Sequence, residues 1–366
     1  MTYRYNMVDF HKLLLNKEPI IISGPCSAET RDQVIQTALQ LKSYNKIHLF
    51  RAGIWKPRTK PGMFEGVGTI GLQWLQEVKS LTNFPLTVEV ATPQHVEEAL
   101  KHEIDCLWIG ARTVANPFSV QALAESLKGL NIPILIKNPT NPDIELWSGA
   151  IERIINAGIE NIALIHRGFT SYAQTEFRNP PMWQLAIEIK RRYAQFSMLC
   201  DPSHIAGKRN LLLSVAQQSL DLNYNGLMIE SHIDPDNAWS DAAQQVTPEN
   251  LIVLLDQLLW RNSIGDSNID FTELAALRAQ IDQKDNELIQ LLGERMKIAD
   301  QIGVYKKNNN ITILQTERWN EILERALVKC EEMGLSKDFI RKYFESVHIE
   351  SIAHQNNVMN NNGNKQ

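Results

Sequence analysis

Short, continuous apolar runs punctuate the first two-thirds of the chain: PIIISG, KIHLFRAG, PLTVEV, CLWIGA, PILIKN, IALIHRG, SMLCDPSH and GLMIESH. Each is dominated by Ile, Leu or Val without polar alternation, the mark of strands buried on both faces. Between most of them lie segments with helical spacing, such as DQVIQTALQLKSY and ELWSGAIERIINAG. Strands alternating with helices predict an α/β fold with a parallel sheet, and eight such units match a (β/α)8 TIM barrel over residues 1–260. An open doubly wound sheet is the alternative. No Gly-rich nucleotide fingerprint follows the first strand, which favours the barrel.

The pattern changes at RNSIGDSNID, a polar stretch around Gly265 that reads as a linker over residues 261–268. Beyond it come three helical patterns and no strand signal, a small all-α domain over residues 269–356. The first helix, from Phe271 to about Lys307, has no proline and carries an apolar stripe through Leu274, Leu277, Ile281, Leu288, Leu291, Leu292 and Ile298. At 1.5 Å per residue it spans ~55 Å. The other two, Thr316–Glu332 and Ser336–Asn356, are too short to cover it, so the stripe is expected to pack on a second copy in a homodimer. The Asn-rich end, residues 357–366, lacks periodicity and is expected to be disordered.

Composition changes this picture little. Hydrophobic content of 43% and charged content of 22% in 366 residues are ordinary for a globular protein. A net charge of −5 gives no reason to expect a nucleic-acid partner. Cys26, Cys106, Cys200 and Cys330 lie too far apart for a zinc knuckle or a dense disulfide framework. No signal-peptide core and no long apolar run occur, so a cytoplasmic protein with reduced thiols and no membrane partner is expected.

In a barrel, chemistry gathers at the C-terminal ends of the strands. Here those ends carry Cys26, Arg51 with Lys56, Glu89, Arg112, Lys137, His166 with Arg167, His204 and Glu230. Taken singly, each has an ordinary structural explanation, but together they form a rim. Cys26, His204, Glu230 and Asp241 offer a thiolate, an imidazole and two carboxylates, which suit a divalent transition metal better than Mg²⁺. Arg51, Lys56, Arg112, Lys137 and Arg167 would repel one another unless a polyanion sits among them, and a small phosphate- and carboxylate-bearing substrate fits.

GPCSAE, RAGIWKPRTKPGMFEG, IGART, IKNPT, IHRGF, DPSHIAGKR and GLMIESHIDPDNAWSDAAQ together resemble 3-deoxy-D-arabino-heptulosonate 7-phosphate (DAHP) synthase, type I, over about residues 18–260. The resemblance implies condensation of phosphoenolpyruvate with erythrose 4-phosphate on a metal-dependent TIM barrel. It implies Cys26, His204, Glu230 and Asp241 as ligands of Mn²⁺, Co²⁺ or Fe²⁺. Arg112, Lys137 and Arg167 match contacts to the phosphoenolpyruvate phosphate, and Arg51 and Lys56 those to its carboxylate. Arg58 and Thr59 match the erythrose 4-phosphate site, with Lys56 and Glu89 candidates for moving protons. A related synthase using arabinose 5-phosphate is the rival within the superfamily, and Lys56-Pro57-Arg58-Thr59 points to the four-carbon sugar. One departure is Ser240-Asp241-Ala242 where relatives often have Ser-Asp-Gly. The stretch before Ile20 is too short for an appended ferredoxin-like regulatory domain.

LAALRAQIDQKDNELIQLLGERMKIADQIGVYKK resembles the all-helical class of chorismate mutase over about residues 269–356. The resemblance implies that Arg278 of one subunit joins Arg295 of the other on substrate carboxylates. Lys306 and Gln355 would hold the ether oxygen, with Gln315, Arg318 and Ser351 also lining the site. Trp319 departs from the family, which commonly places an acid there. The fusion joins an entry step to a later branch step, so control by prephenate or chorismate is favoured over direct channelling. The alternative is a monofunctional synthase with a non-catalytic, ligand-sensing dimerisation domain.

Overall fold

A computed structural model describes residues 9, 10, 12, 19–57, 62–261 and 272–360. By its internal contacts the chain divides into two compact units at Ile264/Gly265, within the polar stretch.

The first unit is a closed barrel of eight strands in chain order, each parallel to the next, with the last pairing the first. The strands are β1 (Ile20–Gly24), β2 (Leu49–Arg51), β3 (Leu86–Val90), β4 (Cys106–Ile109), β5 (Ile134–Lys137), β6 (Ile162–His166), β7 (Ser197–Cys200) and β8 (Gly226–Glu230). Each lies in one of the eight apolar runs, and the open-sheet alternative is excluded. Side chains alternate across a strand, so each run supplies two cores. Ile20, Ile22, Leu49, Trp108, Leu135, Ala163, Ile165, Leu199 and Met228 fill the interior. Ile21, Phe50, Ile136, Leu164 and Ile229 face the surrounding helices. Gly226 is required where β8 meets β1, because a Cβ there would lie 2.0 Å from the Ile20 carbonyl oxygen.

Phe10 joins the interior cluster. Its N–H donates to Asn161 Oδ1 and its carbonyl accepts from Ser197 Oγ, both at the starts of strands. It therefore plugs the N-terminal end of the barrel, and the chemistry is left to the opposite mouth.

The second unit comprises helices Thr272–Asn308, Thr316–Glu332 and Lys337–Asn360. The third runs through Asn360, so residues 357–360 belong to it and not to a disordered tail. Val358 packs near Gly303 and its carbonyl accepts from Lys307, contacts that composition alone did not foretell. Residues 361–366 and most of the expected linker lie outside the described residues. Along the long helix only Met296, Ala299, Gly303 and Lys306 are buried. Leu274, Leu277, Ile281, Leu288 and Leu291 stay exposed, so the two shorter helices cover only its C-terminal third. Among the described residues no helix is long and apolar enough to cross a membrane.

Candidate active sites

Strand alternation explains which rim residues enter the barrel mouth. Leu49, Leu135 and Met228 point inward, so Arg51, Lys137 and Glu230, two residues later, do so as well. By the same parity, inward Ile165 sends His166 outward. His166 is fully buried, bonded to Tyr224 Oη and the Pro181 carbonyl and packed against Trp147, Phe169 and Trp183. Burial lowers its pKa to about 4. It is a neutral core histidine, whereas Arg167, the next residue, lines the mouth with Lys56, Glu89 and Arg112.

The acidic side of the mouth is built from three segments. Cys26 follows β1, and its N–H donates to Gln245 Oε1 at 2.8 Å. His204 sits in the short helix Pro202–Ala206 after β7, capped by Asp201. Asp241 lies on the loop after β8 in the left-handed region (φ 52°), a conformation that costs a non-glycine residue energy. Cys26 Sγ is 3.3 Å from Asp241 Oδ2, and His204 Nε2 is 3.7 Å from Glu230 Oε1. His204 Nδ1 lies 2.8 Å from Asp201 Oδ2 without hydrogen-bonding geometry, and its Nε2 is on the side of Glu230.

These donors suit a divalent ion by chemistry. Glu230 Oε1 is buried and accepts no hydrogen bond; its 3.2 Å contact with Arg51 Nη2 is an ion pair without bonding geometry. Burial, followed by the charge of Glu230, pushes the Cys26 thiol up to about 12, so it stays protonated unless a strong cation approaches. Among the described residues no three such donors converge on one point. The protein's own cations pair with two of them: Lys56 Nζ is 2.9 Å from Cys26 Sγ, and Arg178 Nη1 is 2.8 Å from Asp241 Oδ1. Burial raises the Asp241 pKa, but Arg178 and His204 outweigh it and hold the carboxyl well below its usual range.

The cationic side is equally constrained. Arg51 is buried against the Trp108 ring, 4.9 Å from its centroid, and its Nε and Nη1 have no hydrogen-bond partner. Lys137 Nζ is paired with Asp201 Oδ2 at 2.7 Å, yet burial still lowers its pKa. Burial likewise lowers the Arg167 pKa to about 10. Glu89 accepts from Trp108 Nε1 at 3.1 Å. Its carboxylate sits so close to Gly110 that a Cβ there would lie 2.0 Å from Oε1. Arg58 and Thr59 lie outside the described residues. Sequence reasoning did not assign Arg178, Asp201 or Gln244 to the site. Asp201 stands within DPSHIAGK and could have been found from its place at a strand end.

In the helical unit a pocket forms between the long helix and the two shorter ones. Arg295, Lys306, Gln315, Arg318, Ser351 and Gln355 line it. Arg295 donates to Ser351 Oγ, Lys306 to the Ile313 carbonyl at 2.6 Å, and Gln355 Oε1 is buried without a partner. Trp319 also lines the pocket, its ring stacked on His348 at 4.2 Å. Among the described residues no acid lines this pocket, so it favours an anionic ligand. Arg278 is exposed and not among the lining residues. It lies 17 residues before Arg295 on the same helix, about 25 Å along its axis.

Comparison with known proteins separates the same two stretches. The DAHP synthetase I family matches residues 15–263 and the chorismate mutase type II family residues 277–356. A phospho-2-dehydro-3-deoxyheptonate aldolase of Thermotoga maritima is 29% identical over 238 residues, covering 65% of this chain and 68% of its own. A crystal structure of such an enzyme (DAHP synthase) from T. maritima aligns with a TM-score of 0.59 at 28% identity, over 65% of this chain and 68% of that one. A 2-dehydro-3-deoxyphosphooctonate aldolase of Desulfatibacillum aliphaticivorans is 25% identical over 286 residues, 71% of this chain and 97% of its own. The T-protein of Haemophilus influenzae is 34% identical over 83 residues in the helical stretch, 23% of this chain and 22% of its own.

Proposed function

We propose that this chain, which belongs to the DAHP synthetase I family and joins a DAHP synthase (transferase) domain to a chorismate mutase (isomerase) domain, catalyses both reactions, and we assign the residues that carry each. In the barrel, C3 of phosphoenolpyruvate bonds to C1 of erythrose 4-phosphate, water adds at C2, and the C2–O bond to phosphate breaks. The observation that carries the assignment is Arg51. Its two unpartnered, buried nitrogens await an anion beside a mouth lined by Arg112 and Arg167. A buried guanidinium in that state fits a substrate carboxylate.

Arg51 and Lys56 take the carboxylate, and Arg112, Lys137 and Arg167 take the phosphate, so that charge repulsion does not oppose the approach of two phosphorylated substrates. Cys26, His204, Glu230 and Asp241 would hold a divalent ion, Mn²⁺, Co²⁺ or Fe²⁺. When bound, such an ion supplies Lewis-acid polarisation of the aldehyde oxygen. Lys56 and Glu89 face the same cleft and move the protons that water addition requires. Arg58 and Thr59 select erythrose 4-phosphate, a donor fork and a hydroxyl suiting a terminal phosphate. Steady-state assays with either aldose phosphate test this. Arg58→Ala should raise the KM for erythrose 4-phosphate about tenfold or more, as expected for a lost charge-assisted contact, while that for phosphoenolpyruvate stays nearly constant. Equal effects on both, or preference for arabinose 5-phosphate, overturns the assignment.

In the helical domain, Arg295 and Arg318 bind carboxylates, and Lys306 and Gln355 hold the ether oxygen as negative charge develops. Gln315 and Ser351 contribute further hydrogen bonds. No nucleophile is needed, because electrostatics and a compact bound conformer suffice. The uncovered stripe from Leu274 to Leu291 pairs with a second copy, and Arg278 completes the partner's site. Prephenate or chorismate bound there lowers synthase activity through differential binding to a less active arrangement. Truncation after Asn262 should abolish inhibition by prephenate. If the truncated barrel is inhibited equally, the sensor lies in the barrel.

A further inference from the structure

The segment carrying Arg178 is held tightly to the short helix that carries His204. The Arg178 N–H donates to the Ala206 carbonyl at 3.3 Å, and that of Asn179 to Ile205 at 3.1 Å. Asn179 Nδ2 donates to the His204 carbonyl at 2.6 Å. Gly207 makes this close approach possible, since a Cβ there would lie 2.4 Å from Arg178 Cβ. From this anchored backbone the side chain reaches across the mouth. Nη1 donates to Asp241 Oδ1 at 2.8 Å and to Gln244 Oε1 at 2.7 Å, and Gln244 Nε2 donates in turn to Glu230 Oε2 at 2.7 Å. One guanidinium thus links both carboxylates of the donor set.

The backbone is fixed, but the side chain is not locked in. It is 46% exposed against 16% for Asp241, so solvent reaches the arginine side of the pair and weakens it. The same guanidinium lines the cleft shared with Arg112 and Arg167. A cation at the carboxylates and an anion in the cleft therefore make opposite claims on one side chain.

We propose that Arg178 is a displaceable counter-ion that pairs with Asp241 and, through Gln244, with Glu230, and that yields Asp241 to a divalent cation. Once displaced, it adds positive charge to the Arg112–Arg167 cleft, so divalent-cation and phosphate binding reinforce each other. Arg178 is a positioning residue that acts through Asp241. The inference rests on the metal assignment above, and the test separates the two.

Mn²⁺ binding to the full-length protein is followed by electron paramagnetic resonance, with and without inorganic phosphate. Arg178→Ala and Arg178→Gln should bind Mn²⁺ about two- to fivefold more tightly than wild type without phosphate, the scale set by losing one exposed ion pair. Arg178→Lys, which keeps a cation for Asp241, should stay near wild type. Phosphate should tighten Mn²⁺ binding to wild type more than to the glutamine variant. A merely structural arginine would give weaker binding in every variant, and that result, or unchanged affinity in the alanine and glutamine variants, overturns the proposal. If His204→Ala leaves Mn²⁺ binding untouched, the metal assignment itself has failed.

Discussion

The barrel mouth and the helical pocket hold charge in different ways. In the mouth, charged groups from distant parts of the barrel pair with one another: Lys137 with Asp201, Arg51 with Glu230, Arg178 with Asp241. Sheet closure brings these groups together, and one chain supplies them all. The helical pocket gathers Arg295, Lys306 and Arg318 with no lining acid among the described residues, on a helix whose N-terminal two-thirds is uncovered. A closed sheet preorganises a site within one chain, whereas three helices of unequal length leave an apolar stripe uncovered, and in the dimer proposed above a second chain completes their site.

The largest effects should respect that division. His204→Ala removes an imidazole held between Asp201 and Glu230. It should lower synthase turnover by about a thousandfold or more, the scale of losing a metal-held catalytic group, and sharply reduce bound Mn²⁺. Mutase activity should not change. Full synthase activity in strong chelator would contradict the metal assignment.

Ile281→Asp places a charge in the middle of the uncovered stripe, at a side chain that is 60% exposed within one chain. Sedimentation should show a dimer becoming monomer, with mutase activity falling about a hundredfold, since a charge buried in an apolar interface costs several kcal/mol. The barrel's prephenate-free activity should survive. A monomer with full mutase activity would break the comparison from the helical side.

The smallest effect concerns pH. Burial pulls the Lys306 ammonium below its ordinary 10.5. Its protonated form is the one that stabilises an oxygen gaining negative charge. Mutase turnover should therefore be full at neutral pH and fall as pH rises through a value below 10.5. Lys306→Arg, whose charge does not titrate in that range, should flatten the alkaline limb.

All eight strands were legible from their apolar runs, because strands buried on both faces leave no polar alternation to confuse them. The helix Thr316–Glu332 was legible from its helical spacing. Strand parity, applied to Ile165 and His166, is enough by itself to take His166 off the rim. Arg178 was not legible. It sits in the long loop between β6 and the helix Trp183–Arg192, and its contact with Asp241 spans 63 residues. No local period encodes a pairing that barrel closure creates. The pairing of Lys56 with Cys26 was hidden for the same reason. Residue type revealed the donors, but only the fold shows which cation stands beside each.

The most direct test mixes two inactive chains. Arg278→Ala and Arg295→Ala are each expected to lose mutase activity, and subunit exchange between them creates heterodimers with one intact site and one doubly altered site. Random exchange makes half the dimers mixed, so activity should recover to about a quarter of wild type. His204→Ala mixed with Glu230→Ala should recover no synthase activity, because every barrel site lies within one chain. Recovery in the barrel pair, or none in the mutase pair despite proven exchange, would contradict the account.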